Sequence, residues 1–134
     1  MFKLIKILNS GVNVPEPQKF NKSASLTVKV GDALIISNGG LASCPATTTP
    51  THVAFSAGKY GESEIFAYEV NENMIFETNV SADPSALMVG DKVTLGKDAD
   101  GSTVNVTATV TSGVATVVDL MSARQAGDRI NVKF

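Results

Sequence analysis

From residue 103 to 111 side-chain polarity alternates with a period of two: Val104, Val106, Ala108 and Val110 against Thr103, Asn105, Thr107, Thr109 and Thr111. Successive side chains of a β-strand point to opposite faces, so this run predicts a half-buried strand with one apolar and one hydroxyl-rich side. Thr111-Ser112-Gly113 supplies a turn, and Val114-Ala115-Thr116-Val117-Val118 returns with β-branched residues that suit a pleated surface. The two runs predict a hairpin. Upstream, Asp98-Ala99-Asp100-Gly101 joins Lys92-Val93-Thr94-Leu95 to the same strand, because Asp-Gly readily takes the positive φ of a tight turn. Asn71-Glu72-Asn73 joins residues 64–70 to residues 74–78, and three hairpins in succession describe a meander. Phe66, Tyr68 and Phe76, at alternating positions on that last pair, are expected to pack across the strands into the core.

A second regularity is Gly-Asp ahead of a strand: Gly31-Asp32 before Ala33, Gly90-Asp91 before Lys92, Gly127-Asp128 before Arg129. Glycine takes the turn, and the carboxylate is expected to accept N–H groups just beyond it. The copies are irregularly spaced and do not make a repeat array. Helical signals are confined to residues 83–88 and 119–125, one or two turns each. The N-terminal Met1-Phe2-Lys3-Leu4-Ile5-Lys6-Ile7-Leu8 places lysines inside a short apolar alternation, which predicts a first strand and not a signal peptide.

The fold expected is therefore all-β, a single domain over 1–134 built as a small antiparallel β-barrel or sandwich with one or two short helical turns. Two segments stand outside the meander. Residues 9–25, with Pro15 and Pro17, predict an extended N-terminal arm, and residues 37–51 predict a long loop.

Composition narrows the function. Lys and Arg total 11 against 13 Asp and Glu, a net charge of -2, which gives no electrostatic footprint for nucleic acid. No stretch approaches the roughly 20 apolar residues of a membrane-spanning helix. With Cys44 the sole cysteine, no internal disulfide can form, and synthesis in a reducing cytoplasm is expected. The three Asn-x-Ser/Thr triplets at Asn21, Asn79 and Asn105 are read as chance matches.

Catalytic chemistry finds little to work with. Cys44 and His52 are the only thiol and imidazole, and no Gly-x-Ser-x-Gly elbow accompanies them, so no catalytic residue is assigned. Zinc wants several Cys or His ligands, and the Asp98-x-Asp100-Gly101 start of a calcium loop lacks its closing acid, with Thr at 109. Asn38-Gly39-Gly40 has no following lysine to make a phosphate loop and predicts a turn. No metal and no cofactor is expected. The pairs Glu62 with Glu64 and Glu69 with Glu72 read as solvated faces.

The Gly-Asp strand starts, the run Ala54-Phe55-Ser56-Ala57-Gly58-Lys59-Tyr60-Gly61 leading to Ile65-Phe66-Ala67-Tyr68-Glu69-Val70, and the terminal Gly127-Asp128-Arg129-Ile130-Asn131-Val132-Lys133-Phe134 resemble the small β-barrel decoration (cement) proteins of tailed-bacteriophage capsids. The resemblance spans roughly residues 26–134. It implies a virion protein, made in the bacterial host's cytoplasm, that binds the outer surface of the capsid and bridges major-capsid subunits against internal DNA pressure. Its partners would be the major capsid protein and, in a symmetric trimer, itself, with no nucleic acid or membrane. The arm and the long loop are expected to make those contacts through Val12, Val14, Pro15, Pro17, Phe20, Leu41, Pro45 and Pro50. A tail or baseplate component and a bacterial ligand- or carbohydrate-binding β-module are the alternatives; the absence of Trp argues against a sugar platform.

Overall fold

The computed structural model describes residues 1–8 and 15–134, which form twelve strands. They are β1 (Lys3–Ile7), β2 (Gln18–Asn21), β3 (Ala33–Ser37), β4 (Gly40–Ser43), β5 (His52–Ala54), β6 (Glu64–Glu69), β7 (Met74–Asn79), β8 (Lys92–Val93), β9 (Leu95–Lys97), β10 (Thr103–Val106), β11 (Ala115–Asp119) and β12 (Arg129–Lys133). One sheet has the order β1-β7-β12-β11-β8, a second the order β2-β6-β5-β3-β4, and β10 with β9 makes a separate ribbon. Every pairing within these sheets is antiparallel.

The two sheets and the ribbon share one core. Phe76, Met74, Val117, Ile130 and Val132 come from the first sheet, Ala33 and Val53 from the second, Leu95 and Val106 from the ribbon, and all are buried. Phe134 packs at this centre, 5.5 Å from Phe76 and edge-on to Phe2 at 5.3 Å. A second, smaller core lies on the other side of the β2–β4 sheet, where Val28, Leu34, Leu41, Ala54, Ile65 and Ala67 are buried with Phe20 and Leu26 against them. That sheet curls until its edge strands touch through one parallel bridge, Lys22 to Leu41, but neither sheet closes into a barrel.

The all-β reading holds, while two of the three expected hairpins do not. Asn71 does make its turn, accepting the Met74 N–H at 3.1 Å, yet β6 joins the second sheet and β7 the first. β7 is flanked on both sides within its sheet, and Met74, Ile75 and Phe76 are buried in unbroken succession. The run at 103 ends as a strand at Val106, and β11 pairs with β8 and β12 instead of returning along β10. Period-two patterning sets which face a residue takes and is silent on its neighbour strand. The Asp98–Gly101 hairpin is present, pairing Thr103 with Lys97, but Lys92–Leu95 divides at Thr94 so that β8 and β9 serve different sheets. A register shift between Thr103 and Asn105 turns Thr103 inward together with Val106, so the hydroxyl face is not wholly outward. Thr103 Oγ1 is satisfied by donating to the Cys44 carbonyl at 2.9 Å.

The expected helical turns at 83–88 and 119–125 are β-turns; no helix occurs among the described residues. Left-handed φ at Met121 and Ser122, 48° and 64°, breaks any continuing helix there. Of the arm at 9–25, residues 18–21 are strand β2, paired to β6. The 37–51 loop is shorter than expected, because Asn38-Gly39 turns tightly and β4 pairs back on β3.

The Gly-Asp strand starts are closed turns with a consistent chemistry. In each, Gly has positive φ and the Asp N–H donates to the carbonyl three residues back: Asp32 to Lys29, Asp91 to Met88, Asp128 to Gln125. The carboxylate then accepts that same earlier residue's N–H, at 3.1, 2.9 and 3.1 Å. The carboxylate thus reaches backward, not forward as expected, and locks the turn from both ends. Lys59-Tyr60-Gly61-Glu62 is a fourth copy with Glu in place of Asp, its carboxylate accepting the Lys59 N–H at 2.7 Å.

Candidate interaction surface

The thiol and the imidazole are absorbed in packing. Cys44 is fully buried and its thiol donates to the Thr48 carbonyl at 3.1 Å. Burial pushes the thiol up to about 11, so the nucleophilic thiolate is scarce near neutrality. His52 is buried too, with Nδ1 2.8 Å from Thr51 Oγ1 and its ring edge-on to Phe20 at 4.4 Å. Burial holds its imidazole below the usual value, with Glu69 opposing. Asp98 Oδ1 accepts the Asp100 and Ser102 N–H groups, each at 3.0 Å, as a hairpin turn requires. The outer oxygens of Asp98 and Asp100 converge on the Lys29 ammonium at 2.6 Å each, which lowers the Asp98 carboxyl and raises the lysine. Glu64 pairs with Lys19 at 3.2 Å on the surface. Among the described residues no cluster of three or more His, Cys, Asp or Glu could hold a metal.

The predicted contact residues do not form one surface. Val12 and Val14 lie outside the described residues. Leu41 is 1% exposed because 40–43 is a strand and not a loop tip, and Pro50 is buried as well, so neither offers surface. Phe20 is half-buried against the small core. Pro15 and Pro17 are half-buried, Pro15 lining a shallow groove with Glu16, Gln18, Glu69, Val70 and Asn71. Of the six that are described, Pro45 alone is exposed.

An exposed aromatic surface lies elsewhere. Ile65 and Ala67 fill the small core, and strict alternation turns Phe66 and Tyr68 to the opposite side of β6. Phe66 is 44% exposed and Phe55 is 49% exposed, with Phe55 edge-on to Tyr68 at 5.4 Å. Beside them Met1, Leu4, Val30 and Phe55 border an apolar cleft of about 190 Å³. The expectation that Phe66, Tyr68 and Phe76 share the core is therefore corrected: Phe76 alone is fully buried, and the other two sit on another sheet, Phe66 exposed and Tyr68 half-buried. The sequence signal was present in Ile65 and Ala67, the smaller pair on the strand, but only the covering segment around Val28 shows which pair is inside.

Comparison with known proteins places the fold. No protein-family profile matches the chain, and no curated protein sequence matches it. Among solved structures, the N base of head fiber gp8.5 of bacteriophage phi29 is similar, with a TM-score of 0.54 and 20% sequence identity over 88% of this chain and 93% of the phage chain. At that identity the likeness is one of fold.

Proposed function

We propose that this chain is a structural protein of a tailed-phage virion, one that binds the outer surface of the head and bridges neighbouring major-capsid subunits. The observation that carries the reading is the end-to-end fold similarity to the base of a phage head fiber, which spans nearly the whole of both chains. The burial of Cys44 and His52 fits a protein that works by contact and not by turnover. Such a role asks for only about 800 Å² per partner, because many copies act together on one shell.

Co-sedimentation tests it. Purified protein is mixed with expanded heads lacking it, with isolated tails, and with immobilised glycans. Saturable binding to heads and to neither of the others is the expected result, with treated heads resisting heat or chelator better than bare ones. Retention on tails alone would move the protein to the tail or baseplate. The exposed Phe55 and Phe66, with half-buried Tyr68 edge-on to Phe55, favour a second reading, a carbohydrate- or peptide-binding module, since such modules present aromatic faces. Glycan binding that disappears in Phe55→Ala, without head binding, would establish that reading instead.

A further inference from the structure

Lys22 is 5% exposed, an unusual place for a lysine in a domain this size. Its Nζ donates to the carbonyls of Leu26 at 2.8 Å, Lys59 at 3.0 Å and Ser23 at 3.2 Å, and also to that of Glu62. Among the described residues no carboxylate lies within ion-pair reach of it. The charge is thus balanced by carbonyl dipoles alone, which is how carbonyl cages hold unhydrated monovalent cations. Four carbonyls come from two separate turns, residues 23–26 and 59–62, so the ammonium adds side-chain bonds to turns that are already joined by the Gly61 N–H donating to the Ala24 carbonyl at 2.7 Å.

The stem is as tightly held as the head. A Cβ placed on Gly58 would come within 2.7 Å of Lys22 Cε and 3.2 Å of Cδ, so the tunnel is filled by methylenes on one side and backbone on the other. Lysine offers three N–H donors to four acceptors, so one N–H must be shared between two carbonyls. The cage therefore has more acceptor capacity than its occupant uses.

We propose that these carbonyls form a binding site for a small alkylammonium-type cation, and that Lys22 is its tethered resident, fastening the two turns over the small core without any metal ion. Cut back at Cβ, the site takes a free cation of the same chemistry. The inference stands apart from the reading of the protein as a head-binding component.

The probe is n-propylammonium chloride, which restores the atoms removed in Lys22→Ala. Thermal melts of Lys22→Ala are run with it, with tetramethylammonium chloride as a cation lacking N–H donors, and with n-propanol as a neutral analogue. The expected result is a variant less stable than the parent whose Tm rises by roughly 2–6 °C with n-propylammonium alone, while the parent is unmoved by all three. A variant as stable as the parent, or one that responds equally to all three additives, overturns the site. Labelling of the native parent with an amine-acylating reagent gives a second measure that does not need the variant to fold. Lys22 should react on the order of 100-fold more slowly than Lys19, because it is reached only by local opening. Labelling at the same rate as Lys19 overturns the proposal whatever the melts show.

Discussion

The two cores of this protein are closed by different physics. The large core, shared by both sheets and the ribbon, is sealed by aliphatic and aromatic area, with Phe76, Met74, Val117 and Ile130 all essentially inaccessible to water. The small core has six buried residues, two of them alanines, and is roofed by turns whose polar backbone meets at Lys22. Apolar burial is worth about 25 cal/mol per Å², so a core of Val, Leu, Ile and Ala this small has little margin of its own. A patch of that size can be kept closed by saturating the hydrogen bonds of its lid, because an unmade buried hydrogen bond is expensive even when a made one contributes modestly. One core is stabilised by what it excludes, the other by what it satisfies.

Substitutions can break this contrast, beginning with the greatest loss. Phe76→Ala should cost about 3–5 kcal/mol, since no neighbouring strand can collapse into a space walled by two sheets. Urea denaturation followed by fluorescence or circular dichroism would show it, and a loss below about 1 kcal/mol would mean that the large core is less tightly packed than its burial implies. Leu41→Ala should cost about 2–5 kcal/mol and Lys22→Met about 1–3 kcal/mol, the latter despite a similar side-chain volume. Because Lys22 and Leu41 are bridged across the seam of the curled sheet, their double variant should depart from additivity by about 0.5 kcal/mol or more, whereas Phe76→Ala with Lys22→Met should add. Additivity in both pairs would show that cage and small core do not act together.

Smaller effects sharpen the picture outside the cores. Gly127 has φ 94° with open space around a would-be Cβ, so Gly127→Ala should cost about 1–2 kcal/mol through backbone conformation alone. The sign for pH follows from His52. Its folded pKa is lowered by burial, so the unfolded chain takes up the proton first, and stability present near neutrality is lost as pH falls below about 6.5. Urea midpoints at about pH 7.5 and pH 5.5 should therefore fall further for the parent than for His52→Gln. Equal falls would assign the pH response to other groups.

Much of the fold was legible where a pattern is local. The turn at Asp98 to Gly101 and the first strand follow from residue types whose conformational preferences act over a few bonds. The places where strands begin after Gly31, Gly90 and Gly127 followed too, although the carboxylate's direction did not: an Asp side chain reaches N–H groups on either side of it, and the turn closing behind Gly decides which. The candidate surface was harder. Leu41 and Pro50 were expected outside because the segment around them is rich in turn residues, yet the tight Asn38-Gly39 turn folds Leu41 back under Lys22.

Alternation of side chains by itself determined that this polypeptide folds as strands and which residues travel together on a face, because the pleat repeats every second residue regardless of context. Only the tertiary structure decided which face became interior and which strands became neighbours. Burial belongs to pairs of surfaces, and the partner of β6 was not the strand that follows it in sequence. Lys22 is the clearest instance: two of its carbonyl partners, Ser23 and Leu26, are local, and the other two came only when a turn 37 residues further along closed over it.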